Sequence, residues 1–243
     1  MFNLLGDDRL VDFTLAWSYQ RALLESMHLR RKAGTEAADA LLLLQHRHVY
    51  TLGRGADEAN VLSQQLPGPL VRIESGGEVT YHGPGQLMAY PVLDLTKHRR
   101  DLHWYVRSLE EIVIGTLAEH GLVGERSEVN SGVWVGKNKV SAVGVTASRW
   151  ITMHGLALNV SCDLANFEGI VPCGIREPGR GVTSMSRLLH NESIGIHKVA
   201  EALQRNFVRV FQFNELLPSY ESELESLLSE TPAVPKEINV EAL

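Results

Sequence analysis

The chain has 243 residues, 44% hydrophobic and 21% charged, which is enough length and apolar content to bury a core without disulfide or metal staples. A formal net charge of -6 argues against a phosphate-gripping nucleic-acid binder, and the basic runs at 30–32 and 97–100 are short, lack aromatics and read as solvated helix ends. Two cysteines, Cys162 and Cys173, make neither a disulfide framework nor a CxxC zinc pattern, no metal site is expected, and nothing resembles a signal peptide or membrane span, so the expected compartment is the cytoplasm.

In chain order, Leu15, Tyr19, Leu23 and Met27 recur at helical spacing and predict an amphipathic helix over 12–32, stopped by Gly34. The apolar run that opens 40–54 reads as a buried strand with a turn at Gly53, and His46 as a polar histidine capping that strand rather than a site residue. Between 74 and 86 lie four glycines and a proline, so backbone there passes close to another strand or a ligand. No Gly-Lys-Ser/Thr follows and the dinucleotide spacing is missing, which removes phosphate cradling; Tyr81 and His82 offer an apolar wall and a polar tip instead.

A strand follows over 87–95, where Pro91 implies either an edge position or a bulge. Helical spacing over 101–120 predicts a second amphipathic helix with Gly121 as its stop. Residues 131–145 read as a hairpin turning at Gly136-Lys137-Asn138, with Lys139 opening the second strand; an exposed lysine there would ordinarily do no more than solvate an edge. Another strand is expected over 153–160. Then Pro172-Cys173-Gly174 sets one thiol between a residue that fixes its own φ and one that tolerates positive φ. That turn presents an approachable sulfur, although a lone cysteine also serves as a small buried hydrophobe. Helices are expected over 194–213 and 219–228. With no repeat or linker, 1–229 reads as one catalytic domain and the Pro- and Glu-bearing segment 230–243 as a flexible tail.

Taken together, 76–86, 132–135 with Lys139 and Gly144, 154–160, and 172–174 resemble the lipoyl(octanoyl) transferases over residues 41–185. The resemblance implies an α/β (α+β) fold of the biotin protein ligase and lipoate ligase kind, a mixed sheet flanked by helices. It also implies transfer of an octanoyl group from octanoyl-acyl carrier protein to lipoyl domains of 2-oxoacid dehydrogenases and the glycine cleavage H protein, without a cofactor. Cys173 matches the family's nucleophile, which forms a thioester acyl-enzyme. Lys139 matches the residue whose ammonium favours the thiolate and shuttles a proton. Ser75, Gly76, Gly77, Glu78, Val79, Thr80, Tyr81 and His82, with Ala142, Val143, Gly144, Gly155, Leu156 and Ala157, match the positions that line the acyl pocket. Ser75 departs from the family's usual Arg, which alters the pocket mouth, the acyl-length preference or the docking of the carrier. The alternatives are an adenylating lipoate-protein ligase or a non-catalytic acyl-carrier-binding relative; the thiol and the lack of a nucleotide loop disfavour the ligase.

Overall fold

The computed structural model describes residues 1–6, 8–128 and 130–230. Its first half runs β1 (Phe2–Asn3), α1 (Phe13–Lys32), β2 (Ala40–Leu44), β3 (Val49–Leu52), β4 (Leu70–Arg72), β5 (Thr80–His82), β6 (Gln86–Val92) and α2 (Leu102–Ala118). Its second half runs β7 (Glu125–Arg126), β8 (Gly132–Val135), β9 (Asn138–Ser148), β10 (Ile151–Asn159), β11 (Gly181–Val182), α3 (Met185–Leu189), α4 (Ile196–Phe211) and α5 (Glu221–Glu230). The larger sheet has the order β1-β2-β6-β10-β9-β8-β7, with β11 also paired to β9. Parallel pairing at β1 and β11 makes it mixed, since its other ladders are antiparallel. A smaller sheet has the order β4-β3-β5.

The run Ala40–Leu44 is apolar at every position because helices cover both faces of β2. Leu41 and Leu43 point into the core shared with Leu109 and Ile112 of α2 and Leu203 and Phe207 of α4. Ala40, Leu42 and Leu44 point the other way, onto Tyr19, Leu23 and Met27 of α1 and Leu224 of α5. Strand alternation thus divides one hydrophobic run between two cores. Leu15, expected on the buried stripe of α1, is 37% exposed, and Ala16 takes the inward position.

Three further expectations need correction. Residues 40–54 form two strands in different sheets, because the chain crosses between sheets at Gln45 to His48. Pro91 is not on an edge, since β6 lies between β2 and β10. Nor does a bulge follow: the β6–β10 ladder is regular from Gln86 to Ala89 and the two chains meet again in the same register at Asp94 and Ile151, with an interruption between them where His154 of β10 turns to φ 60. The Pro91 carbonyl accepts from Thr152 Oγ1 at 2.9 Å, and the proline itself has no N–H to give the ladder. At the C-terminal end Glu230 still belongs to α5, and the remainder of the expected tail, 231–243, lies outside the described residues.

Candidate active site

Cys173 sits in a single tight turn, Pro172–Gly174, with its own backbone left-handed at φ 53 and ψ 22. A non-glycine residue in that region costs about 1–3 kcal/mol, so the surroundings must hold it. They do so from both sides: Cys173 N donates to Val79 O at 2.8 Å, and Val171 N donates to Asn60 O at 2.7 Å. Gly174 continues at φ 70, and a Cβ there would stand 2.9 Å from Glu78 Cγ. The Glu78 carboxylate in turn accepts from Asp57 N at 3.0 Å and Asn60 Nδ2 at 2.8 Å, and Asn60 Oδ1 accepts from Arg176. The thiol is half-buried, with Sγ 3.8 Å from Thr80 Oγ1.

Lys139 is not the exposed edge residue that its hairpin position predicts; it is 3% exposed. On one side β8 pairs Trp134 with it, and on the other β11 pairs Val182 with it, more than forty residues later in the chain. Thr183 N closes the edge by donating to Lys139 O at 2.9 Å. Gly132, at φ 127, leaves the lysine stem its room: a Cβ there would lie 2.6 Å from Lys139 Cε. The ammonium donates to Asn130 Oδ1 at 2.5 Å, and Asn130 Nδ2 donates to Cys173 O at 2.8 Å. One carboxamide therefore links the lysine to the cysteine turn.

Both residues border a cavity of about 450 Å³. Ala142, Gly144, Gly155 and Ala157 form its floor, paired Ala142 with Ala157 and Gly144 with Gly155 across β9 and β10. Four small residues on one face of adjacent strands keep large side chains out of the cavity, and the loop above comes down close enough over Gly144 that a Cβ there would stand 3.9 Å from Gly76 O. Val143 and Leu156 also border the cavity but alternate to the opposite face and pack in the α2–α4 core. The roof is the loop of Ser75, Gly76, Gly77 and Glu78, which lies so close over Gly53 that a Cβ there would meet Gly77 O at 2.2 Å. Ser75 is buried, and its carbonyl accepts from Arg54 N at 3.0 Å.

Thr80 and His82 face the cavity, but Val79 and Tyr81 do not line it. Their side chains alternate away into a core with Tyr50, Leu52, Phe167 and Ile170. Val79 reaches the site through its carbonyl alone, as the acceptor for Cys173 N.

The buried end of the cavity is lined by Phe13, Met88, Tyr90, His82 and His154. His82 contacts Thr51 Oγ1 and Gln86 Oε1, each at 3.2 Å, and burial pushes it down to about 4. Burial, with the neighbouring His82, likewise brings His154 to about 4. The strained His154 backbone is clamped where its N–H donates to Gln20 Oε1 at 2.7 Å. His46 stands behind this wall, bonded to Tyr90 OH at 2.7 Å and Val11 O at 2.8 Å, and burial drives it to about 3. All three imidazoles are therefore neutral at pH 7. Among the described residues, no three His, Cys, Asp or Glu side chains are placed to hold a metal ion.

His154 and Asn130 are cavity residues that the sequence reading missed. His154 had one available signal, its place directly before Gly155-Leu156-Ala157; Asn130 had none.

A mixed sheet with helices on both faces and a cavity over its middle strands is the architecture of lipoate-protein ligases. Lipoate-protein ligase A bound with ATP superposes with a TM-score of 0.72 at 19% identity, covering 94% of this chain and 92% of that one. A putative lipoate protein ligase from T. acidophilum gives 0.70 at 17% identity, covering 91% of each chain. At such identities the likeness defines a class of fold and nothing finer. Residues 12–208 match the family described as the lipoyl protein ligase A/B catalytic domain. An octanoyltransferase of Gloeobacter violaceus is 47% identical over 208 residues, covering 86% of this chain and 90% of the relative. A chloroplastic octanoyltransferase of Arabidopsis thaliana is 43% identical over 216 residues, covering 84% of this chain and 76% of the relative. The chain belongs to the lipoyl protein ligase A/B catalytic domain family and, within it, to the octanoyltransferases.

Proposed function

We propose that this chain moves an octanoyl group from octanoyl-acyl carrier protein to a lysine of a lipoyl domain, holding it in between as a thioester on Cys173. The acceptors are the lipoyl domains of 2-oxoacid dehydrogenases and the glycine cleavage H protein. The observation that supports this most strongly is the linked pair of a strained, half-buried thiol and a buried ammonium on one cavity with a floor of small residues.

In the first step the Cys173 thiolate attacks the carrier's thioester carbonyl, and the carrier sulfur leaves with a proton from the Lys139 ammonium. In the second, the acceptor amine attacks the enzyme thioester. Neutral Lys139 takes the surplus proton from that nitrogen, Cys173 departs as thiolate, and the starting charges are restored. The octanoyl chain occupies the cavity that Cys173 borders, with its methyl end toward Phe13 and Met88. Backbone N–H groups of the glycine-rich turns polarise the reacting carbonyl. The described residues up to Glu230, the last of α5, act as one catalytic domain, in the cytoplasm. Among the described residues, no helix is long and apolar enough to cross a membrane.

Lys139→Ala tests the assignment. Its loading by octanoyl carrier should slow by about 100-fold or more, the usual worth of a positioned acid–base group, and higher pH should restore part of the loss. An unchanged rate would exclude Lys139 from the reaction.

A further inference from the structure

Asn130 takes no part in the two chemical steps, yet its carboxamide is bonded to both halves of the pair. It accepts from the Lys139 ammonium at 2.5 Å and donates to the Cys173 carbonyl at 2.8 Å. Its orientation is fixed by chemistry, because an ammonium only donates and a carbonyl only accepts. A reversed carboxamide would set donor against donor and acceptor against acceptor. The chain beside it is anchored as well: Gly132 N donates at 2.9 Å to Oε1 of Glu110, a fully buried α2 carboxylate whose other oxygen accepts from Arg107 at 2.9 Å.

We propose that Asn130 is a positioning residue for acyl transfer, clamping the Lys139 ammonium to the Cys173 turn with a neutral group so that the cation's charge stays available to the sulfur. The inference rests on the Cys173–Lys139 reading above. A neutral clamp differs from a charged one in a simple way. A carboxylate in the same place would compensate the ammonium and add a second negative charge beside the thiolate. An apolar residue would release the ammonium without compensating it.

The Lys139 ammonium also lies 5.9 Å from the Trp134 ring centroid, and three charged side chains near the turn have partners other than Asn130. Glu78 accepts from Asp57 N and Asn60 Nδ2, Arg176 donates to Asn60, and Arg180 lies 5.2 Å from the Trp134 ring centroid. Thr80 supplies a hydroxyl 3.8 Å from the sulfur, and His82, facing the same cavity, is neutral. A change in thiol titration on substituting Asn130 therefore reports on the clamp.

The test uses the full chain and two readouts: the pH dependence of Cys173 alkylation by iodoacetamide, and kcat and KM with octanoyl carrier. Asn130→Asp should move the alkylation midpoint upward by about one pH unit, the size of effect a single adjacent charge produces. Asn130→Ala should lower kcat by about ten- to a hundredfold, the cost of a misplaced catalytic group, with KM for the carrier nearly unchanged. Thermal unfolding of each variant shows whether it is folded, and the alanine variant, which adds no charge, carries the test if the aspartate variant is unstable. Wild-type kcat and midpoint in a folded Asn130 variant, with Lys139→Ala moving the midpoint, would overturn the role of Asn130 alone. An unmoved midpoint in Lys139→Ala would overturn the pair itself.

Discussion

Replacing Gly132 by alanine changes one methyl group and should disturb both stability and chemistry. At φ 127 the backbone is in a region that L residues avoid, and the new Cβ would stand 2.2 Å from Ser141 O and 2.6 Å from Lys139 Cε. The conformational strain is worth about 1–3 kcal/mol, and pushing a side chain and a strand carbonyl aside adds about 1–3 kcal/mol more. For a domain of this size each kcal/mol lowers Tm by roughly 2–4 °C, so the expected loss is about 5–20 °C. Displacing the lysine stem moves the ammonium away from Asn130, and octanoyl loading should slow by about 100-fold, as for a misplacement of an ångström. Gly136→Ala is the control. Its φ is 59 but a Cβ there meets nothing within 4 Å, so its cost is about 1–2 kcal/mol of backbone strain with loading unchanged. Thermal unfolding by circular dichroism and single-turnover loading read both effects. A Gly132→Ala protein with wild-type Tm and loading rate would refute the steric argument, as would equal losses in the two variants.

Burial pushes the Cys162 thiol up to about 12, so at pH 8 the native protein should alkylate rapidly at Cys173 alone and at both cysteines only after denaturation. Two rapid adducts on the folded protein would contradict this. Stability should also fall in mild acid. His46, near 3, and His82 and His154, near 4, refuse protons that the unfolded chain accepts below about 6.5. Their contribution is therefore complete above that value and is lost as pH drops toward 4, at up to about 1.4 kcal/mol per pH unit for each histidine. Urea unfolding midpoints at pH 7.5 and 5.5 should differ accordingly, and His154→Gln should flatten the dependence; midpoints independent of pH would refute it.

What could be read from the sequence was local. The all-apolar Ala40–Leu44 already implied a strand covered on both faces, and the Pro172-Cys173-Gly174 turn followed from the properties of its flanking residues. The burial of Lys139 was not legible, because β11, which closes its edge, arrives from a distant part of the chain and is two residues long. Val79 and Tyr81 illustrate a different miss: motif matching names a contiguous stretch, whereas a strand sends alternate side chains to opposite faces, so only Thr80 and His82 of this quartet line the cavity. Pro91 suggested an edge or a bulge, and neither followed, because β6 is flanked by β2 and β10 and keeps one register with β10 on both sides of the proline. Asn130 matters only through partners nine and forty-three positions away, a relation that no local pattern encodes.

Intact-mass spectrometry after brief mixing with octanoyl-loaded carrier protein asks most directly whether the fatty acyl group travels on the enzyme. A single octanoyl adduct should appear, map to Cys173, disappear on adding lipoyl domain, and be absent from Cys173→Ser. An adduct that survives that substitution, or a Cys173→Ser enzyme that still acylates the lipoyl domain at the wild-type rate, would contradict a thioester at this position.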